Sequence, residues 1–145
     1  MQYQQFKDQY FVYIEQDEPV MATLTRLCRD HDIQNGQISG IGAVKNIEIG
    51  AYDLPTKSYV KKRFSGVHEL LSCQGNITLL DETPFLHIHL VLGDHSMAAI
   101  GGHLFEMEIA AVGEFVLKKF TGNAFRQLDE NIGLATWCLE HRGEK

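Results

Sequence analysis

Only one stretch of this chain carries a helical period. Val20, Leu24, Leu27, Cys28 and His31 recur at spacings that put them on one face of a helix. Asp17 stands where it can cap that helix, Pro19 falls in its first turn, and Asn35-Gly36 offers a positive-φ residue to end the segment. A β-rich run at 10–14 precedes the helix and an apolar run at 37–44 follows it, so the first unit reads β-α-β. Its crossover is right-handed if the two strands lie parallel in one sheet.

From Ile47 onward the period is two. Ile47, Ile49 and Ala51 alternate with Glu48, Gly50 and Tyr52; Asp53-Leu54-Pro55-Thr56 makes a turn, and residues 58–64 run back as a hairpin. Residues 69–73 and 76–80 read as a second pair around Gln74-Gly75, and Asp81-Glu82-Thr83-Pro84 turns the chain into a strand at 85–92. A loop at 93–102 leads to a strand at 103–111, bent or bulged near Gly113 before 115–120. Residues 121–131 carry turn residues and a short helical turn, and 134–139 form a last strand around Trp137. No repeat, linker or low-complexity tract interrupts the chain, and its 145 residues are expected to form one domain spanning 1–145.

Charge and cysteine content narrow the function. Thirteen Lys+Arg against 19 Asp+Glu give a net charge of −6, which weighs against nucleic acid because neutralising phosphates needs a concentrated positive field. Cys28, Cys73 and Cys138 are odd in number and far apart, suggesting neither a disulfide framework nor a cysteine zinc knuckle. The first 13 residues lack a basic segment followed by an apolar one, and no apolar run is long enough to cross a bilayer. The expectation is a cytoplasmic protein with no membrane partner.

Seven histidines in so short a chain are the unusual count. In the strand at 85–92, Phe85, His87, His89 and Val91 face one way and Leu86, Ile88, Leu90 and Leu92 the other. Imidazoles at i and i+2 are about 7 Å apart along a strand rising ~3.4 Å per residue, and they can converge on one ion with bonds of ~2.0–2.1 Å. His103 begins the next strand behind Gly101-Gly102, so an antiparallel return brings it beside the pair. Three neutral imidazoles leave a fourth position for water, the open arrangement of a catalytic or ligand-accepting site. Against this, alternating histidines also occur on half-buried sheet faces with no metal at all. His31 suits a helix end, His141 a tail, and His68 and His95 loop or strand-edge positions.

The glycines and lysines carry weaker signals. Gly36, Gly40 and Gly42 hint at a phosphate loop, but no helix follows them and no Walker ending is present, so close packing of strands or subunits explains them better. Lys57, Lys61, Lys62, Arg63, Lys118 and Lys119 either form a basic stripe or protect a solvated edge strand.

Several blocks together resemble one family. They are Gly40-Ile41-Gly42-Ala43, Gly50-Ala51-Tyr52-Asp53, Glu69-Leu70-Leu71-Ser72 with Gly75-Asn76-Ile77, Pro84-Phe85-Leu86-His87-Ile88-His89 and Gly101-Gly102-His103-Leu104. Their order and spacing are similar to those of the PPC ("plants and prokaryotes conserved") domain, in its stand-alone form without an AT-hook. The resemblance implies an α+β fold, a mixed and mainly antiparallel β-sheet wrapped around one main helix, similar to acetolactate decarboxylase. It also implies a homotrimer with sites near subunit interfaces, and it carries the family's histidine motif onto His87, His89 and His103. Plant members bind DNA through AT-hooks, but this chain has no such segment and no basic arm.

Three functions follow. The first is a homotrimeric module in which His87, His89 and His103 hold Zn²⁺ or another divalent transition metal that recognises a small anionic ligand. The second is a metal-dependent enzyme of unknown substrate, with Glu69, Asp94 or His95 moving a proton. The third, argued from the family name and the lysines, is a DNA-binding regulator.

Overall fold

The computed structural model describes residues 1–139, so His141 lies outside the described residues. Nine strands and one helix run in the order β1 (Gln2–Phe6), β2 (Gln9–Ile14), α1 (Val20–Asp30), β3 (Gly36–Asp53), β4 (Ser58–Phe64), β5 (His68–Leu80), β6 (Thr83–Gly93), β7 (Ala99–Lys119), β8 (Phe125–Asp129) and β9 (Leu134–Cys138). Every ladder is antiparallel except the single parallel pairing of Leu79 with Phe125 between β5 and β8. The result is the expected α+β architecture, a mixed and mainly antiparallel sheet with one helix.

Four strands close on themselves. β3 pairs with β5 and β7, and β6 also pairs with β5 and β7, so β3, β5, β6 and β7 form a ring. Leu86, Ile88, Leu90 and Leu92 of β6, Ile38 and Val44 of β3, and Leu104, Met107 and Ile109 of β7 are buried with Leu24, Leu27 and Cys28 of the helix in one core. The opposite face of β6 is left to its histidines. β2 and β3 both pair with β7, so they run parallel to each other with β7 between them.

Several local expectations need correction. Residues 69–80 are not a hairpin around Gln74-Gly75; they are part of one continuous strand paired with both β3 and β6. The true turn is Asp81-Glu82, both at positive φ, joining Leu80 to Thr83 in the two-residue geometry that suits a twisted hairpin. Asp17 does not cap the helix. It sits at positive φ and pairs with Lys45, while the carboxylate of Glu106 on β7 accepts the helix's first N–H groups from Met21 (2.8 Å) and Ala22 (3.3 Å). The helix ends at His31, and the positive-φ residue behind it is Asp32, not Gly36, which already begins β3. Residues 2–6 form β1, a strand additional to the expected run at 10–14, and residues 125–129 form β8 in place of a helical turn.

At Gly75 β5 and β6 pack without room for a side chain. A methyl group there would lie 2.6 Å from the His87 carbonyl oxygen and 2.7 Å from the Ile88 side chain. Gly75→Ala is therefore expected to lower unfolding free energy by about 1–3 kcal/mol, the usual penalty of overpacking. Urea denaturation beside Gly66→Ala, where nothing lies within 4 Å, checks this; equal midpoints would refute it.

Candidate metal centre

β6 and β7 meet with His89 directly opposite His103, and His87 follows two residues away on the same face of β6. Glycines let β7 draw close to both β6 and β3. A side chain at Gly101 would strike the Leu90 carbonyl at 2.6 Å, and one at Gly102 the Gly50 carbonyl at 2.9 Å. The three rings gather with centroids 5.1 Å (His87–His89), 5.1 Å (His87–His103) and 5.4 Å (His89–His103) apart. One nitrogen from each lies within 4.8 Å of the others. Ligands of a tetrahedral ion with 2.0–2.1 Å bonds stand about 3.4 Å apart, so small side-chain rotations close the difference.

His87 and His103 are half-buried and His89 is exposed. Tyr59 and Phe105 pack against His103 with ring centroids 4.8 and 4.9 Å away. Nδ1 of His103 is buried without a hydrogen-bond partner among the described residues. A buried polar atom without a partner is costly, and a bound ion or ligand would satisfy it. Burial pushes His87 and His103 down to about 4, helped at His87 by the Arg126 guanidinium and His89, and at His103 by the neighbouring His87 and His89. Both are therefore neutral at pH 7, the form that binds metal.

Above the triad lies a cavity of about 740 Å³, walled by Tyr52, Tyr59, Phe85, Phe105 and Leu134 and holding one charged residue, Arg126. No pattern in the sequence marks Arg126, which lies among turn residues in a stretch expected to form a short helical turn. Its guanidinium reaches back from β8 to donate to Thr78 Oγ1 (3.0 Å), the Ala135 carbonyl (2.8 Å) and Asn76 Oδ1 (2.8 Å), with Nη2 3.3 Å from His87 Nδ1.

The other candidates lie elsewhere. Glu69 pairs with Gly93, five residues along β5 from the partner of His89, roughly 17 Å away at a strand's rise. The Asp94 carboxylate accepts from Ser96 N, Ser96 Oγ and Ala98 N, which shapes the β6–β7 turn, and His95 is exposed beside it. His31 is the helix C-cap, stacked edge-on against Tyr3. His68 begins β5 with Nδ1 2.9 Å from the Gly66 carbonyl. The basic residues make no stripe. Lys61 and Arg63 on β4 both pair with Glu48, whereas Lys118 and Lys119 are paired at the far end of β3. Among the described residues β4 pairs only with β3 and is an edge strand. Gly36, Gly40 and Gly42 lie inside β3, where added methyls would meet Lys118 O, the Phe115 ring and Val112 O at 2.5 Å or less. Cys28, Cys73 and Cys138 are free.

Residues 1–121 match the family model of the Plants and Prokaryotes Conserved (PCC) domain. The chain belongs to that family. It is similar to the crystal structure of a metal-containing protein from Archaeoglobus fulgidus, with 33% identity, 95% of this chain and 97% of that one covered, and a TM-score of 0.84. A PPC protein from Pyrococcus horikoshii is 29% identical over 96% of both chains with a TM-score of 0.85. A protein from Bacteroides thetaiotaomicron to which DNA binding is ascribed is 28% identical, with 94% of this chain and 96% of that one covered and a TM-score of 0.92. A search of curated proteins found no match. The PCC match ends before β8, so Arg126 lies beyond it.

The depressed histidines have a consequence for stability. The unfolded chain takes up protons near pH 6.5, while folded His87 and His103 take them up only near 4. The metal-free protein should hold the full contribution of these two groups above pH 6.5 and lose it progressively as pH falls to 4. Urea midpoints measured across that window should show the fall, and a His87→Gln/His103→Gln double variant should show a shallower one.

Proposed function

We propose that this PCC-domain protein binds a divalent transition metal, zinc foremost, through His87, His89 and His103, and that the site accepts a small anionic ligand. The observation that carries the reading is the convergence of three histidine nitrogens within 4.8 Å, one of the rings having a buried Nδ1 without a partner. The donor set suits Zn²⁺ and its neighbours, since imidazole is a borderline ligand and no carboxylate of the described residues joins the group. A divalent ion there would supply a Lewis-acidic position open to a ligand oxygen. The metal content of the Archaeoglobus relative, 33% identical, supports the same reading.

A homotrimer belongs to this proposal. Tyr3, Phe11, Tyr13, Ile41 and Leu71 are exposed and line a shared surface concavity of about 900 Å³ on the β1–β2–β7–β3 side, apolar area that a second copy can cover. Catalysis at the ion is the second reading, favoured by the 740 Å³ cavity over a three-ligand site. Glu69, Asp94 and His95 do not line that cavity, so they are not its proton carriers. DNA binding is ascribed to the Bacteroides relative, but here the lysines are divided between edge strand β4 and the far end of β7, and Lys61 and Arg63 are paired with Glu48.

Protein purified without a histidine tag and incubated with Zn²⁺ should retain about one ion per chain, and His89→Ala should retain far less while keeping its far-UV circular dichroism. Mass measured in solution should correspond to three chains. A wild type that takes up no metal would overturn the reading.

A further inference from the structure

The staple role of Arg126 does not explain its charge. The residue is 8% exposed, its guanidinium lies 5.2 and 6.0 Å from the Phe85 and Trp137 rings, and it has no carboxylate partner among the described residues. A fold rarely buries an uncompensated cation without a use for it, because desolvating a charge is expensive. Thr78, Ala135 and Asn76 accept three of its five N–H groups and tie β8 and β9 to the sheet. A neutral amide could do much of that tying.

The fourth contact is the informative one. Arg126 Nη2 can only donate, so at 3.3 Å it requires His87 Nδ1 to offer a lone pair. A neutral imidazole that ligates an ion has no such lone pair to spare at Nδ1, which is either the ligating atom or carries the proton. Histidine ligands ordinarily give their second nitrogen's N–H to an acceptor; here a donor stands in that place. Loading of the triad and the Arg126–His87 hydrogen bond are therefore mutually exclusive.

Resting on the metal reading above, we propose that Arg126 is the carboxylate-binding residue of this cavity, and that its Nη2 donor is released from His87 when the triad is loaded. A planar fork of N–H groups fits a carboxylate. Arg126 is the one charged side chain in the lining among the described residues, and the N–H groups of Met21 and Ala22 in the first turn of α1 are already taken by Glu106. The aromatic and aliphatic walls around it suit a carboxylate carried on a small apolar body. The coupling is reciprocal: a bound carboxylate tightens metal binding and metal tightens carboxylate binding.

The test uses the full chain loaded with Co²⁺, whose visible absorption reports on its coordination. Acetate should change the spectrum saturably and should raise the melting temperature of loaded protein but not of metal-free protein. Arg126→Met should bind Co²⁺ at the wild-type stoichiometry and need at least ~10-fold more acetate, with Arg126→Lys in between. Equal acetate response in wild type and Arg126→Met overturns the proposal, as does equal stabilisation of loaded and metal-free protein. A response to inorganic phosphate with none to acetate overturns the carboxylate assignment. If Arg126→Met does not fold, Arg126→Lys and the loaded-against-free comparison still decide it. Failure of the wild type to take up Co²⁺ or Zn²⁺ at all overturns the triad reading itself, a result distinct from normal metal uptake without acetate dependence.

Discussion

The β6–β7 ladder holds the site together. Without it, β3, β5, β6 and β7 would form an open sheet, with His103 free to move relative to His87 and His89. With it, each of the four strands is hydrogen-bonded to two others in the ring, and His89 stands opposite His103 by main-chain register. Side chains placed by a closed set of ladders lose little freedom when they bind, which is what a preorganised site requires. The glycines at 75, 101 and 102 serve this geometry, since each lets one strand approach a carbonyl of its neighbour more closely than any side chain would allow.

How much of this could be read in the residues depended on the range of the interaction. Alternation marked β6 and its two faces, because burial of Leu86, Ile88, Leu90 and Leu92 is a property of neighbours two apart. The third histidine was legible for a similar reason: a short connection between antiparallel strands returns the chain beside itself. The helix was legible as a helix, but not its cap, because Glu106 arrives from 85 positions away and leaves no local pattern around Pro19. Gly75 was misread as a turn, since a glycine that permits close strand approach and one that permits a turn look alike in one dimension. Arg126 left no signal at all: a single arginine in a polar stretch becomes notable only once β8 is docked on β5.

The electrostatics of the triad follow from the same closure. Strand packing half-buries His87 and His103 against Tyr59, Phe85 and Phe105, and a desolvated imidazole favours its neutral form. Arg126 adds a fixed positive charge next to His87, which works in the same direction. Both effects keep the rings unprotonated at neutral pH without a carboxylate to do so, although the lone pair that Arg126 holds at His87 Nδ1 must be released before the ring can ligate an ion. A carboxylate partner would instead have raised their basicity and invited protons to compete with a metal.

The net charge of −6 therefore hides a local inversion. Some surface charges are paired, as Glu48 is with Lys61 and Arg63 and Asp17 is with Lys45. Arg126 is not cancelled among the described residues, and a divalent ion on three neutral imidazoles would add two further positive charges beside it. Inside apolar walls such charges are weakly screened, whereas lysines on a solvated edge strand are strongly screened by salt. A small anion that enters the cavity meets the strong field, and a polyanion that stays on the surface meets only the weak one. With the triad loaded as proposed, this charge distribution would select for ligand size as well as sign, favouring a small anion over a nucleic acid even though the fold is shared with a relative to which DNA binding is ascribed.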